Sequence, residues 1–523
     1  MSARPQSPTS PVPLEAALSP DAGARRAPLR MSPEEFRRAG HALVDAIAEF
    51  LPTVQEGQRP VTTGEAPDVI QGLVGASSSL PEEGTGAEEL LRTTSQLLFD
   101  HSLFNGHPRF YGYITSSPAP IGMLGDLLAA AANPNVGSWR LGPVATELEA
   151  QTVRWIAELI GYPTTSGGLL VSGGNMANLV AFLAARRAAG AAWDVRKTGL
   201  RGPGARTMRV YASAETHTWI QKAADLSGLG TDSIRWIPTD VELRMDTGAL
   251  RAAIESDLLA GDRPAIVVGT SGSVSTGVVD PLREIAEICR EARVWFHVDG
   301  AYGAFAAAIA HPSSDLAALS LADSVAVDPH KWLYAPLEAG CVLVRDPKLL
   351  REAFAYHPPY YHFGQEALNY VDYGPQNSRG FRALKVWLAL RQVGRAGYVK
   401  MIGDDVRLSE RMYQLVSEHP ELEPATQGLS ITTFRYVPSD LRASVGTAET
   451  EEYLNRLNEA LLERLQNGGE AFVSNAVIRG RYVLRACIVN FNTRLQDVEA
   501  VPEIVVRVGG EVDAEMRVRD GVR

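Results

Sequence analysis

Cysteine is scarce in this chain of 523 residues. The three present, Cys289, Cys341 and Cys487, stand far apart without CxxC spacing, so neither a disulfide framework nor a zinc site is indicated and a reducing cytoplasm is the expected compartment. Basic charge is also short: 50 Lys and Arg face 61 Asp and Glu, and the net charge of −11 argues against a general affinity for nucleic acid. Long apolar runs are missing, and none approaches the roughly 20 residues that a membrane span needs. No nucleic-acid or membrane partner is therefore expected. What the chain does have is 45% hydrophobic content, enough for a large core divided into two or three units.

Residues 1–30 are rich in Pro, Ala, Ser and Arg without an apolar stretch and read as a disordered extension. At Met31 the pattern changes. Ser32, Pro33 and Glu35 form a capping-box start, and Phe36, Leu43, Val44, Ile47 and Leu51 recur at helical spacing. From about 145 to 345, short β-rich runs (208–212, 234–237, 265–269, 294–298, 324–327 and 341–344) alternate with helical patterns, predicting a mainly parallel sheet covered by helices. After about 400 a smaller α+β domain is expected, with strands at 429–436 and 482–489 and helices around 451–466 and at the end. Residues 356–376 carry aromatics, His, Pro and Gly with no period, a long loop of the kind that is usually functional or mobile.

Two of the predicted strands end in charged residues. One closes on Asp299, and the other runs into Asp328-Pro329-His330-Lys331-Trp332. Pyridoxal phosphate accounts for both, because it needs an amine to hold its aldehyde as a Schiff base and a carboxylate to keep its ring nitrogen protonated. In open α/β sheets, ligands sit beyond the carboxyl ends of the strands, where both residues fall. Taken alone, Lys331 could be a solvated surface charge and Asp299 a helix cap. The small residues Gly300 and Ala301 beside Asp299 would let a flat ring approach. Ser172-Gly173-Gly174-Asn175 precedes a helical pattern and suits a phosphate, since glycines before a helix N-terminus point backbone N–H groups at an anion. The segment is neither a dinucleotide fingerprint nor a P-loop, and a plain glycine turn is the alternative. His217, past another strand end, could stack on the ring and meet a substrate carboxylate.

Together these residues resemble the group II pyridoxal-phosphate decarboxylases, most closely the aromatic-L-amino-acid decarboxylases. The resemblance covers nearly everything after Met31 and includes Thr270-Ser271-Gly272-Ser273, His297 to Tyr302 and Arg379 to Lys385. It implies a fold type I, aspartate-aminotransferase-like α/β architecture with an N-terminal helical dimerisation segment (31–115), a large cofactor domain (116–400) and a small domain (401–523). By the same resemblance Lys331 carries the cofactor, Asp299 pairs with its ring nitrogen, His217 and Ala301 cover its two faces, and Thr270 belongs to the cofactor site. Gly174, Asn175 and His330 hold the phosphate. Tyr360 in the aromatic loop protonates the substrate carbon, and His107, Tyr113 and Thr115 line the substrate pocket. The reaction implied is decarboxylation of an L-amino acid such as Trp, Tyr, Phe or DOPA to the amine, in a homodimer with the active site at the subunit interface. The alternatives are a decarboxylation-coupled oxidative deaminase giving an aldehyde, and a non-aromatic substrate. Gly300, Asp328, Val274 and Gly380 depart from the family pattern and bear on the substrate.

Overall fold

A computed structural model of the chain describes residues 27–357, 367–519 and 521. Its contacts divide the chain into two compact units, Met1–Pro52 with Pro67–His101, and Thr53–Ala66 with Ser102–Arg523. In the first unit the helix Pro33–Gln55 starts as its capping box requires: Glu35 N–H donates to Ser32 Oγ at 3.2 Å, and Ser32 N–H donates to Glu35 Oε2 at 2.8 Å. Phe50 stacks on Phe99 of the helix Ala87–Asp100 at 4.0 Å, and Arg38 pairs with Glu88 at 2.8 Å.

The second unit is built on a seven-stranded sheet. Its strands are β1 (Gly167–Val171), β2 (Met208–Ser213), β3 (Ile234–Ile237), β4 (Arg263–Thr270), β5 (Trp295–Asp299), β6 (Ser324–Val327) and β7 (Gly340–Val344), in the order β1-β7-β6-β5-β4-β2-β3. Only β7 runs against its neighbours. The strands inside the sheet are buried on both faces because alternate residues enter different cores, whereas the edge strand β3 leaves Trp236 exposed. Tyr211, Val267, Val298, Val325 and Leu343 pack on one side of the sheet, and Val210, Ala212, Ile266, Val268, Ala326 and Val342 on the other. This is the mainly parallel, helix-covered sheet that the alternating pattern predicts, and each of the six runs lies at one of its strands. The additional strand, β1, occupies the glycine-rich stretch and lies antiparallel to β7.

The four remaining strands, β8 (Leu422–Gly428), β9 (Ile431–Tyr436), β10 (Ser474–Ile478) and β11 (Arg481–Cys487), form an antiparallel sheet in the order β10-β11-β9-β8. The helices Ala448–Gly468 and Leu495–Arg519 share its core through Leu457, Leu461, Val501 and Val505. The helix Ala383–Glu418, broken at Gly394, runs from the large sheet towards this one, so residue 400 lies inside a helix.

A buried ion pair holds the entrance to β1. Arg379 pairs with Glu149 with both side chains fully enclosed, and also donates to the carbonyls of Val136 and Leu170, while Glu149 accepts from Leu170 N–H at 2.9 Å. Removing one partner leaves an uncompensated buried charge. Arg379→Met is therefore expected to cost about 3–5 kcal/mol of stability, read as a lower urea midpoint. A loss below about 1 kcal/mol, the scale of an exposed pair, would remove the pair from the fold's energetics.

Candidate active site

Five co-directional strands, β1, β2, β4, β5 and β6, deliver their carboxyl ends to one cavity of about 440 Å³. Ser172 to Asn175 follow β1, Glu215 and His217 follow β2, Thr270 ends β4, and Asp299 ends β5 with Ala301 just beyond. Asp328, His330 and Lys331 follow β6, the last two on the short helix Pro329–Trp332. The strands β5 and β6 are parallel neighbours, with Asp299 in register with Ala326. Residues 32 positions apart in sequence are thus set side by side.

Asp299 is buried, and both its oxygens are engaged: Trp219 Nε1–H donates to Oδ2 at 2.7 Å and Ala301 N–H to Oδ1 at 3.2 Å. Two residues earlier on the same face of β5, His297 bonds to Ser324 Oγ at 2.8 Å and Asn178 Oδ1 at 2.7 Å and packs edge-on against Trp219. Complete burial pushes its imidazole down to about 4, so a neutral ring braces the indole that holds Asp299. Burial also lowers His217, outweighing the nearby Asp299 charge. Its Nδ1 accepts from Trp219 N–H at 3.3 Å, leaving Nε2 as the donor.

Lys331 lies 3.2 Å from Asp328 Oδ2. The residues after it are fastened from the far side: Trp332 Nε1–H and Tyr334 O–H both donate to Asp405 Oδ2 at 2.8 Å, and burial raises that carboxyl to about 7. Behind β1 the helix Gly174–Ala189 begins, its N-terminal N–H groups free of intrahelical partners. Gly173 has φ 130°, which suits glycine, and a Cβ at Gly174 would come within 2.6 Å of Asp328 Oδ2 and 3.2 Å of Ala301 Cβ.

The structure brings Gly174, Asn175, His217, Thr270, Asp299, Ala301, His330 and Lys331 into one lining. It does not bring His107, Tyr113 or Thr115 there; Ile114 takes that place. His107 is turned inward, its Nδ1 accepting from Arg109 N–H at 3.0 Å, and burial lowers it to about 4. Tyr113, with φ 51°, is 56% exposed and leans on Phe472. Tyr360 lies outside the described residues. Sequence reasoning missed Trp219, Asn178 and Asp405, whose importance depends on contacts across 80, 119 and 73 positions, and Glu215, which lines the cavity just beyond β2. Trp219 alone carried a signal, standing two residues after His217.

The donor set fits a pyridoxal phosphate. It offers an amine, a carboxylate on the neighbouring strand, a helix N-terminus opened by glycines, and on the cavity wall a buried Thr270 Oγ1 with no partner among the described residues. A second cavity, about 650 Å³, opens at the opposite ends of β4 and β5 and contains none of these groups. Among the described residues no cluster could hold a metal ion, and no helix is long and apolar enough to cross a membrane.

Residues 73–437 match the family model described as the pyridoxal-dependent decarboxylase conserved domain. The chain belongs to the pyridoxal-dependent decarboxylase family. Among its relatives are an aromatic-L-amino-acid decarboxylase of Bacillus atrophaeus, 32% identical over 90% of this chain and 94% of that one, and a phenylacetaldehyde synthase of Petunia hybrida, 29% identical over 88% and 91%. The crystal structure of Oryza sativa TDC with PLP and tryptamine superposes with a TM-score of 0.85 at 28% identity, covering 93% of this chain and 99% of that one. As a member of this family the protein is a pyridoxal-phosphate-dependent carboxy-lyase acting on an amino acid.

Proposed function

We propose that the enzyme decarboxylates an aromatic L-amino acid to its amine, working as a cytoplasmic homodimer. The observation that carries this reading is the meeting of Lys331 and Asp299 at the ends of adjacent parallel strands, in the cavity that also holds the glycine turn and His217. Lys331 would hold the cofactor aldehyde and Asp299 the proton on its ring nitrogen. The N–H groups of Gly174 and Asn175, together with His330, would take the phosphate, and Thr270 Oγ1 would gain its missing partner at the ring. When bound, the cofactor supplies an electron sink for the bond to the departing carboxylate. Neutral His217 and Ala301, both on the cavity lining, would cover the faces of the bound ring, and His217 would offer Nε2–H to the substrate carboxylate. Tyr360 delivers a proton to the substrate's α carbon.

The substrate class follows from the remaining lining. Ile114, Met176, Val274 and Leu337 provide apolar contact for a ring, whereas Glu215 and Glu338 add negative charge, and Glu338 is already paired with Arg382 at 2.7 Å. A glutamate or aspartate side chain would meet like charge there. Exposed Tyr113, beside Ile114, would complete the pocket on this reading only through the dimer. Support for the dimer comes from Leu124, Leu127 and Leu128, which leave an exposed apolar row on the helix Pro120–Ala132.

Release of CO2 measured across the twenty amino acids should be greatest with Trp, Tyr, Phe or DOPA, by about 10²-fold or more over glutamate, since a buried unpaired charge is rejected on this scale. Preference for an acidic amino acid would overturn the assignment. The likeness to a phenylacetaldehyde synthase makes aldehyde, ammonia and peroxide the products to assay beside the amine. Tyr360 favours the amine, and stoichiometric aldehyde would reverse that choice.

A further inference from the structure

One group in the cavity is at odds with a phosphate. Asp328 is buried beyond β6, its Oδ2 3.2 Å from Lys331 Nζ and 3.9 Å from His330 Nε2, and its Oδ1 has no hydrogen-bond partner. Its carboxyl faces the glycine turn, within 2.6 Å of where a Cβ on Gly174 would lie. An anion is thus enclosed against the backbone assigned above to another anion. Two such charges in contact cannot both persist in a low dielectric without a cation or a shared proton between them.

The surroundings show which of the two is available. Lys331 is the cation beside Asp328 in the free protein. When its ammonium condenses with an aldehyde, a C=N bond forms and the carbonyl oxygen departs as water with two of the three N–H protons, so at most one N–H remains. His330 does not replace it as a cation: its Nδ1 is engaged by the backbone of Ala339, at 2.7 Å from the carbonyl and 3.3 Å from the N–H, and burial disfavours its charged form, so it meets the phosphate as a neutral ring. His217 is held neutral by burial, and Asp299 adds further negative charge. Cys341 is buried, with its thiol pushed well up. Among the described residues no second cation is supplied by the elements packed against Asp328.

We propose that Asp328 is a proton-carrying ligand of the cofactor phosphate, ionised beside Lys331 in the free protein and protonated from solvent on loading, when it donates to a phosphate oxygen. The inference rests on the cofactor placement of the preceding section. Burial already favours the neutral carboxyl, against the pull of Lys331. Because the loaded site holds this proton more tightly than the free one, affinity is complete below the free-state pKa. It falls by up to about tenfold per pH unit as pH rises towards the loaded-state pKa.

The test is the dissociation constant of pyridoxal phosphate from about pH 7 to 9, read by quenching of tryptophan fluorescence in the wild type and in Asp328→Asn, whose amide donates without titrating. Relative to the variant, the wild-type constant should rise at least about tenfold over this range. Pyridoxal, which takes the cation from Asp328 but brings no phosphate, should show a clearly smaller rise on the wild-type protein, and this comparison decides the matter if the variant fails to fold. Parallel curves for the two proteins, or an equal rise with pyridoxal, would overturn the role of Asp328 and leave the cofactor site standing. Absence of pyridoxal phosphate binding at every pH would remove both.

Discussion

Lys331→Ala should abolish covalent retention of pyridoxal phosphate and lower amino acid turnover by on the order of 10⁴-fold or more, the scale on which loss of a reacting nucleophile acts. Among the described residues the amine belongs to the only lysine lining the cavity, so no neighbouring amine there can substitute. Removal also takes the cation from Asp328, leaving a buried carboxyl that must take up a proton. Borohydride reduction followed by mass measurement checks the first effect, since the wild type should gain one cofactor and the variant none. Retention of the covalent adduct with near-normal CO2 release would place the chemistry on a different residue.

Asp299→Asn should lower kcat by on the order of 10²–10³-fold, as does loss of one electrostatic stabiliser in a water-poor site. The fold should tolerate the change, because an amide oxygen can still accept from Trp219 Nε1–H as the carboxylate does at 2.7 Å. That orientation puts the amide NH2 where Oδ1 accepts from Ala301 N–H at 3.2 Å, so this bond is lost and a ring nitrogen held there would face a donor, which favours its unprotonated form. The electron sink is then weakened while the remaining contacts survive, so kcat should fall much more than KM rises. The check is steady-state CO2 release with the cofactor-loaded variant. A fall of less than about tenfold would mean that the carboxylate does not govern the ring nitrogen.

Both effects concern residues that can be picked out from sequence, and the reason is local. Strand ends in a parallel sheet are marked by short apolar runs that stop at a charged residue, and a phosphate turn by glycines before a helix, so Asp299, Lys331 and Gly174 carried their signal within ten residues. The antiparallel sheet was half legible for the same reason. The strands β9 and β11 are strongly apolar, whereas β8 carries Pro424 and Gly428 and β10 alternates buried and exposed positions, so neither forms an apolar run. The strand β1 was hidden by Gly167 and Gly168, which read as a turn.

The sequence by itself determined the class of the fold, the cofactor and most of the residues that gather at the cavity, because each depends on a short pattern with one chemical use. The tertiary structure decided how those residues are held and in which charge state. Trp219 and His297 bracing Asp299, Asp405 fastening Trp332, Ile114 in place of its neighbours at the cavity, and Asp328 set against the glycine turn all depend on side chains from separate elements meeting in a low dielectric. Such meetings leave no periodicity in a chain, since their energy arises only when the sheet closes and water is excluded.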